Sequence, residues 1–421
     1  MNQLKKDLHN FVEENREEAI GLFQSLIRIN SVNHGPDYDQ GNEEELVQFI
    51  EKYMEDLELI IEKVVPYPRR PSILARRKGR EGKPVLCVYG HLDTVPAGDL
   101  SQWKHPPFAA EIHDGRLYGR GTNDIKQGIA ASLFAVKALT ELDVSLNGDV
   151  LLCYGAGEET LFPLGLKHLI DSGLIQADFC LYPHGGVPDD PEKPYGITLG
   201  HRGNTDITIK TIGKAGHMAR KHLSINAIEK MAPIIDGIAH MEIKGPHHEI
   251  VPPGGTISVN VVKGGIKTNI IPPECTIEID CRFGPGITPD DAISQVKNMI
   301  AKLVEKDPEI NAEVTASNSW EASWTESNHP FVNEIRKVYR EFNPERQILA
   351  RGGGHYSDSK FFRMVGIPTA MAFAASGSIP EYGGSGHQFN EYVGVNEYIE
   401  SIKMQTSFLI NILGPASQKG D

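Results

Sequence analysis

A histidine and an aspartate leave the end of a short apolar segment together. The apolar residues run from Val85 to Tyr89, Gly90 interrupts them, and His91 and Asp93 follow. In an extended chain, residues two apart point to the same side. Imidazole binds zinc-like ions, and a metal-bound histidine usually has a carboxylate partner that orients it. The pair therefore indicates either a metal site or a loop-end histidine beside a turn-forming aspartate.

Polar side chains of metal-binding type follow three further apolar segments. In an open α/β sheet, sites form outside the carboxyl ends of the strands. Histidine and glutamate from four strand ends are therefore expected to converge at one edge. Taken singly, each has a plain alternative as a structural histidine or a solvated glutamate pair. The residues concerned are Glu158 and Glu159, His184, and His387.

A fifth candidate, Asp124, lies just before a predicted helix. Its carboxylate is placed to bridge two cations and to face the positive end of the helix dipole. Mixed histidine and carboxylate ligands suit hard or borderline divalent ions. Two ions that share a carboxylate can polarise a carbonyl group and generate hydroxide at neutral pH. Glu159 would then complete the metal shell, and Glu158 would carry the proton from water to a leaving amine.

Helices and apolar strands alternate through the first half of the chain. Continuous apolar strands separated by helices predict a mostly parallel α/β sheet that is covered on both faces. The apolar periodicity predicts helices over residues 4–28, 43–57, 125–142 and 164–172, and strands over 85–89, 150–154 and 179–182.

The pattern changes near Gly200. Strands with alternating polar and apolar residues follow, in the order β-α-β-β-α-β, which is typical of a two-layer α+β (ferredoxin-like) domain. A helix at 331–341, a buried strand at 369–373 and a closing helix at 398–413 return to the α/β style. The predicted organisation is an α/β domain at 1–199 and 318–421, interrupted by an inserted two-layer α+β domain at 200–317.

Composition excludes several classes of protein. The 421 residues carry a net charge of −14, which argues against a nucleic-acid partner or an anionic membrane surface. The N-terminus lacks the apolar core of a signal peptide, and no apolar run approaches the ~20 residues that span a bilayer. Five scattered cysteines are expected to be buried small hydrophobes, which predicts a reducing cytoplasm rather than a disulfide framework.

Six motifs occur in a fixed order: GHLDTVPAG (90–98), GRGTNDIKQG (119–128), GEE (157–159), GKAGH (213–217), NAI (226–228) and GHQFNEYV (386–393). Their order resembles the dinuclear metallopeptidase superfamily of aminoacylases, desuccinylases, acetylornithine deacetylases and glutamate carboxypeptidases (peptidase family M20). The similarity covers nearly the whole chain. It implies that the α/β domain is catalytic and that the inserted domain is a dimerisation or lid domain. It also implies a homodimer and one or two divalent ions, with zinc favoured and cobalt or manganese as alternatives.

The resemblance also implies metal ligands. By motif, His91 would bind one ion, Asp124 would bridge both, and Glu159 and His387 would bind the other. Relatives usually supply a glutamate as the last ligand of the first ion, where this chain has Pro-His-Gly, so His184 is assigned to that place. A histidine here is similar to the branch of carbamoyl-amino-acid and allantoate hydrolases. It makes the site one charge more positive, which could strengthen hydroxide binding or loosen one cation.

Further residues receive roles from the same motifs. Glu158 would be the general base, Asp93 would orient His91, and His217 would stabilise the oxyanion, with a surface histidine as its alternative. The motifs also assign Arg282 and Asn269 to a substrate carboxylate, with a structural salt bridge as the alternative for Arg282, and Gly377 to an oxyanion hole. Pocket-lining residues could come from the glycine-rich loop that carries His355, Tyr356 and Asp358.

These inferences predict a metal-dependent hydrolase. It would cleave the C–N amide bond of an N-acyl amino acid or small peptide through metal-activated hydroxide. One alternative is hydrolysis of a non-peptide C–N bond, such as that of a carbamoyl group or an aryl amine. Another is a catalytically silent binding protein of the same fold, against which the complete ligand set argues.

Overall fold

The computed structural model describes residues 3–35, 41–160, 165–251, 254–354, 357–378 and 384–416. The chain forms two compact units. The first unit contains Met1–Leu199, Thr325–Arg351 and Ser357–Asp421, and the second contains Gly200–Trp324 and Gly352–Tyr356. The boundary predicted at residue 317 falls inside a strand, Ala312–Trp320, that belongs to the second unit.

The elements are numbered in chain order. The helices are α1 (Gln3–Glu14), α2 (Arg16–Arg28), α3 (Glu44–Met54), α4 (Gln127–Glu141), α5 (Leu166–Asp171), α6 (Ala227–Ala239), α7 (Pro289–Lys306), α8 (Pro330–Phe342), α9 (Ser359–Met364) and α10 (Val395–Leu413). The strands are β1 (Ile60–Val64), β2 (Ser72–Arg77), β3 (Val85–His91), β4 (Ile112–His113), β5 (Arg116–Tyr118), β6 (Asp149–Gly155), β7 (Phe179–Tyr182), β8 (Gly186–Pro188), β9 (Tyr195–His201), β10 (Gly203–Ile212), β11 (Gly216–His217), β12 (Gly255–Gly264), β13 (Ile270–Ile271), β14 (Glu274–Phe283), β15 (Ala312–Trp320), β16 (Ser323–Trp324), β17 (Ile348–Gly353), β18 (Thr369–Met371), β19 (Ala374–Ser376) and β20 (Tyr392–Gly394).

The first unit is built on a mixed sheet with a parallel centre. Its strands run in the order β1-β2-β6-β3-β7-β18-β9. Strands β6, β3, β7 and β18 are parallel, whereas β1, β2 and β9 pair antiparallel with their neighbours. Strands β3 and β6 are buried along their whole length, as expected where both faces of a sheet are covered. The α/β fold class is confirmed, with antiparallel strands at the edges.

Helices pack around this sheet. Helix α4 is buried along most of its length, and it packs against α10, which also contacts α1 and α8. Helix α4 begins at Gln127, two positions after the predicted start at residue 125. The backbone at Asp124 is extended, with φ −131° and ψ 92°, and the Asp124–Ile125 peptide bond is cis. Asp124 is therefore held on a kinked turn before the helix rather than in its first turn.

The second unit has the predicted α+β architecture. Its main sheet has the order β12-β14-β10-β15, and all neighbours are antiparallel. Apolar side chains on alternate positions of β10 and β14 form a core with one face of α6 and of α7. This β-α-β-β-α-β unit leaves β12 and β15 as edge strands.

The cysteines are small buried side chains. Cys87, Cys153, Cys180, Cys275 and Cys281 are all buried, and none is in a disulfide. Within the residues described above, no helix is long and apolar enough to cross a membrane.

Candidate metal centre

The carboxyl ends of the parallel strands bring the predicted site residues together. The pairing of β3 with β6 places His91 opposite Gly155, and the turn that carries Glu158 and Glu159 follows directly. Strand β7 is the other neighbour of β3, and His184 comes two residues after it ends. Because neighbouring parallel strands end at the same edge, these side chains lie side by side.

The carboxylate of Asp124 lies at the centre of the cluster. Its Oδ1 is 2.9 Å from Nε2 of His91 and 3.2 Å from Nε2 of His184. Its Oδ2 is 3.4 Å from Nε2 of His387, and that same nitrogen is 3.0 Å from Oε1 of Glu159. Each oxygen of Asp124 thus faces a different set of side chains, His91 with His184 on one side and His387 with Glu159 on the other.

Two backbone features place His387 and Asp124 in this geometry. His387 adopts a φ of 63°, a left-handed value that is uncommon for a residue with a side chain. Such conformations persist where the surrounding structure holds them, and they concentrate at functional sites. The backbone N–H groups of Asn123 and Asp124 both donate to Oε1 of the buried Glu391, at 2.8 and 3.2 Å. Glu391 in turn forms a buried ion pair with Arg120.

Asp93 holds both His91 and the glutamate turn. Nδ1 of His91 donates to the backbone oxygen of Asp93 at 3.0 Å, which leaves Nε2 of the ring directed at Asp124. The two carboxylate oxygens of Asp93 accept the backbone N–H groups of Glu158 at 3.0 Å and Glu159 at 3.1 Å. The side chain of Asn33 donates to Asp93 at 3.1 Å as well. Asp93 is completely buried, so these bonds define its orientation.

A second chain of hydrogen bonds reaches Glu158. Its Oε1 accepts the backbone N–H of Asp358 at 3.4 Å, and the Asp358 carboxylate accepts the hydroxyl of the buried Tyr89 at 2.5 Å. Tyr89 lies on β3, two residues before His91. Asp358 therefore links the strand that carries a predicted ligand to the predicted general base, through its carboxylate on one side and its backbone N–H on the other.

The pKa values of the carboxyl groups in the cluster are shifted in different directions. Burial raises the pKa of Glu158 well above its usual value, despite the opposing charge of His91. Desolvation also disfavours the ionised form of Asp124, but the adjacent imidazoles of His184, His387 and His91 outweigh it and hold the pKa well below its usual range. Hydrogen bonds to Asp124 and Glu159 raise the pKa of His387 to about 10. Protons and cations therefore compete for the same nitrogen and oxygen atoms.

The donor set fits divalent cations of the zinc class. Ligand atoms of His91, Asp124 and Glu159 all lie within 4.8 Å of one another. Three imidazoles and two carboxylates are the mixed nitrogen and oxygen ligands that such ions take, and a hydrogen-bonded Nδ1 is the usual support of a histidine ligand. The five side chains that would hold one or two ions are His91, Asp124, Glu159, His184 and His387.

Gly377, the predicted oxyanion-hole glycine, lies in the first unit directly after β19. The N–H of Gly377 donates to the side chain of Asn123 at 3.1 Å. A Cβ on Gly377 would come within 2.1 Å of the backbone oxygen of Tyr392, so this position admits only glycine. His355 and Tyr356 lie outside the described residues.

In the second unit, two of the predicted residues are neighbours. The two-residue strands β11 and β13 pair His217 with Ile270, and the backbone oxygen of Asn269 accepts the N–H of Met218 at 3.1 Å. The imidazole of His217 is exposed, and its Nδ1 accepts the N–H of Ala219 at 3.1 Å.

Arg282 makes the salt bridge that the sequence left as its alternative role. Its Nε and Nη2 donate to Asp280, each at 3.0 Å, and its Nη1 donates to the backbone oxygen of Gly354 at 3.1 Å. The side chain of Arg282 is one-third exposed.

Sequence reasoning missed Asn33, Tyr89, Asn123 and Glu391. Glu391 stands in the last motif, GHQFNEYV, and a glutamate four residues after a predicted ligand was a usable signal. The other three act through hydrogen bonds to partners distant in the chain, and the local sequence contains no comparable signal.

Comparison with known proteins matches this chain to a family model and to proteins of similar sequence and structure. The sequence model described as "Peptidase family M20/M25/M40" matches residues 87–411. The N-formyl-4-amino-5-aminomethyl-2-methylpyrimidine deformylase of Bacillus subtilis is 26% identical, and the alignment covers 98% of both chains. A succinyl-diaminopimelate desuccinylase of Pseudoalteromonas atlantica is 27% identical over 94% of this chain and 99% of the relative. Among solved structures, an M20 family metallo-carboxypeptidase of Sulfolobus solfataricus superposes with a TM-score of 0.73 at 21% identity, covering 93% of this chain and 98% of that chain.

Proposed function

We propose a substrate and a catalytic arrangement from the premise that this chain belongs to peptidase family M20/M25/M40 and is a hydrolase acting on C–N bonds. The proposed reaction is hydrolysis of the amide bond of an N-acyl amino acid or small peptide, with an amine and a carboxylate as products. One or two divalent ions, of which zinc is our first choice, would be held by Asp124 and the four ligand side chains around it.

The observation that carries this proposal is that the two carboxylate oxygens of Asp124 face different sets of side chains. Its Oδ1 faces His91 and His184, and its Oδ2 faces His387, which also contacts Glu159. A single carboxylate placed in this way can serve two cations at once. Such ions supply Lewis-acid activation of water and of the substrate carbonyl when they are bound.

In this proposal Glu158 moves the proton. Its carboxylate is next to the ligand Glu159, and a hydrogen bond from the N–H of Asp358 orients it. It would accept a proton from the attacking water and deliver it to the nitrogen of the leaving amine. His217 is proposed to donate to the oxygen on which negative charge develops.

The relatives support an N-acyl amine as the substrate class. The two enzymes named above remove a formyl and a succinyl group from an amine. We propose that Arg282 and Asn269 bind a carboxylate on the amine side of the substrate. His355, from the glycine-rich loop, is proposed to line the substrate pocket.

A non-peptide C–N bond is the second candidate. His184 provides the observation in its favour, because its imidazole contacts Asp124 where a carboxylate is usual in the family pattern. The Bacillus subtilis relative is named for an N-formyl pyrimidine, which is not an amino acid. Comparing N-formyl, N-acetyl, N-succinyl and N-carbamoyl amino acids, dipeptides and N-acyl arylamines separates the two candidates. Turnover confined to N-acyl amino acids and peptides would remove the second.

The role of Glu158 is tested with Glu158→Gln. This variant keeps the shape of the side chain but cannot accept the proton, so we expect metal content to stay at the wild-type level while turnover falls at least 1,000-fold, roughly the upper part of the range for general-base catalysis. Glu345→Gln, on the exposed surface, is the matched control and should behave as wild type. Full activity of Glu158→Gln would show that another group moves the proton.

We further propose that the chain forms a homodimer through the second unit and acts in the cytoplasm. Strand β12 is an edge of the main sheet, and an edge strand presents unpaired N–H and C=O groups to a partner. Large apolar side chains are exposed on and beside it, with 61% of Val262 and 89% of Ile266 accessible. Such a patch is typical of an interaction surface.

A further inference from the structure

Away from Asp124, the first unit has a second group of metal-binding side chains. His105, Glu111 and His113 each offer one ligand atom, and the three atoms lie within 4.8 Å of one another. Nδ1 of His105 is 2.9 Å from Oε2 of Glu111, and Nε2 of His113 is 3.1 Å from the same oxygen. The distances resemble those from Asp124 Oδ1 to His91 and His184, 2.9 and 3.2 Å.

Two rigid pieces of backbone hold these ligands. Glu111 and His113 are two residues apart at the start of a hairpin, so their side chains leave the same face. Strands β4 and β5 form this hairpin through the two residues Asp114 and Gly115, whose φ values of 49° and 73° are those of a tight primed turn. The backbone oxygen of Glu111 accepts the N–H of Tyr118 at 2.9 Å, which fixes the base of the hairpin.

The third ligand, His105, is on a separate loop that the fold also restrains. The N–H of Lys104 donates to the side chain of Asn390 at 2.6 Å, and the backbone oxygen of Pro107 accepts the N–H of Arg120 at 2.8 Å. The ring of His105 stacks on that of His113, with centroids 4.1 Å apart and planes 26° from parallel. The two imidazoles are therefore already aligned on one carboxylate oxygen.

The chemistry of the group favours a transition metal over a plain ion pair. Two imidazoles and one carboxylate are a known ligand set for zinc, and ligand atoms around a tetrahedral zinc ion are about 3.3 Å apart, given bond lengths near 2.0 to 2.1 Å. The neighbouring cation Arg116 is paired with Asp189 and lies over the ring of Tyr392.

We propose that His105 Nδ1, Glu111 Oε2 and His113 Nε2 form a separate, solvent-accessible site for a divalent transition-metal ion such as zinc. An ion there joins the β4–β5 hairpin to the loop of residues 104–107. Three protein ligands leave a further position for water. The site is independent of the proposed amide hydrolysis, because none of its ligands has a role in that reaction.

Metal stoichiometry tests the site. The full-length protein, stripped with a chelator, is dialysed against zinc and, separately, cobalt, and the ions per chain are counted. The double variant His105→Gln/His113→Gln and the single variant Glu111→Gln are each expected to bind one ion fewer than wild type and to keep wild-type hydrolytic activity. His247→Gln, an exposed histidine outside both clusters, is the control and should bind as many ions as wild type.

Cobalt absorption and thermal unfolding provide a second readout. Saturating zinc should raise the melting temperature of wild type more than that of the double variant, because an ion that binds only the folded chain stabilises it. His387→Gln should lose an ion from the Asp124 cluster and keep the cobalt spectrum of the His105 site. Equal ion counts and superimposable cobalt titrations for wild type, Glu111→Gln and the double variant would overturn the proposal and leave these three residues as an ion-paired network.

Discussion

Oδ2 of Asp93 accepts the backbone N–H of Glu159 at 3.1 Å. Asp93 follows β3 and Glu159 follows β6, so the bond connects the ends of two neighbouring strands. The other oxygen of the same carboxylate accepts the N–H of Glu158 and lies 3.5 Å from Nδ1 of His91. One buried side chain thus positions a predicted ligand from each strand and the predicted general base.

Asp93→Asn should weaken metal binding without unfolding the protein. The amide keeps one acceptor oxygen, but its NH₂ group would face a backbone N–H that now has no acceptor. Partners that orient metal ligands typically contribute 10- to 100-fold in affinity, so we expect a loss of about that size in a metal-competition titration. Asp99→Asn, which removes a carboxylate that accepts Ser101 on the surface, is the control. Unchanged metal affinity in Asp93→Asn would mean that other contacts orient the glutamate turn.

Tyr89→Phe should reduce turnover through the orientation of Glu158. The variant removes the hydroxyl that the Asp358 carboxylate accepts, while the N–H of Asp358 continues to donate to Glu158. We expect a drop in kcat of about 10-fold with KM and metal content unchanged, and a loss of about 1.5 to 3 kcal/mol in the free energy of unfolding for the lost hydrogen bond to a charged group.

Tyr154→Phe is the matched control for that variant. Tyr154 is also fully buried, on the neighbouring strand β6, and its hydroxyl bonds to Ser132 at 2.7 Å, away from Glu158. It should lose stability in the same way and keep wild-type kcat. If both variants lost kcat equally, the effect would be one of general stability.

His9 should make the protein less stable in acid. Burial lowers the pKa of His9 from 6.5 to about 4, and its Nε2 is 3.0 Å from the backbone oxygen of Lys403 and 2.8 Å from Oγ of Ser407. Between pH 4 and 6.5 the unfolded chain binds more protons than the folded chain. The contribution of His9 is therefore present above pH 6.5 and is lost as the pH falls through this window.

Urea unfolding of wild type and His9→Gln between pH 4 and 7.5 measures the contribution of His9 to the free energy of unfolding. The difference in unfolding free energy between the two proteins should change with pH by on the order of 2 kcal/mol, with wild type losing more as the pH falls. His247→Gln, an exposed histidine, should follow the wild-type curve. A His9→Gln curve parallel to that of wild type would contradict the prediction.

Val262→Asp should convert the proposed dimer to a monomer. The charge would be placed on the exposed face of the edge strand β12, where burial of a carboxylate in an interface is costly. Sedimentation-equilibrium measurements should give twice the chain mass for wild type and the chain mass for the variant, with unchanged circular dichroism. Val65→Asp, at a 53% exposed valine of the first unit, is the control. A wild-type protein that sediments as a monomer would contradict the proposed homodimer.

Strand positions were predictable where the sequence is apolar without interruption. Residues 85–89 and 150–154 were expected as buried strands, and β3 and β6 extend over Val85–His91 and Asp149–Gly155. The edge strand β1 and its neighbour β2 were missed, because their sequences IIEKV and SILARR mix apolar and charged residues and satisfy no single period. Edge strands face water on part of their surface, so hydrophobicity alone locates them poorly.

The candidate ligands were predictable because they are next to strand ends. The sequence alone determined which histidines and carboxylates follow which apolar strands, and the physical rule that parallel strands end at one edge brought them into one region. Only the tertiary structure decided that His91 and His184 share one oxygen of Asp124 while His387 faces the other. Those contacts join residues as much as 263 positions apart, as between His387 and Asp124. Their geometry depends on sheet register and loop backbone, which no local pattern of residues contains.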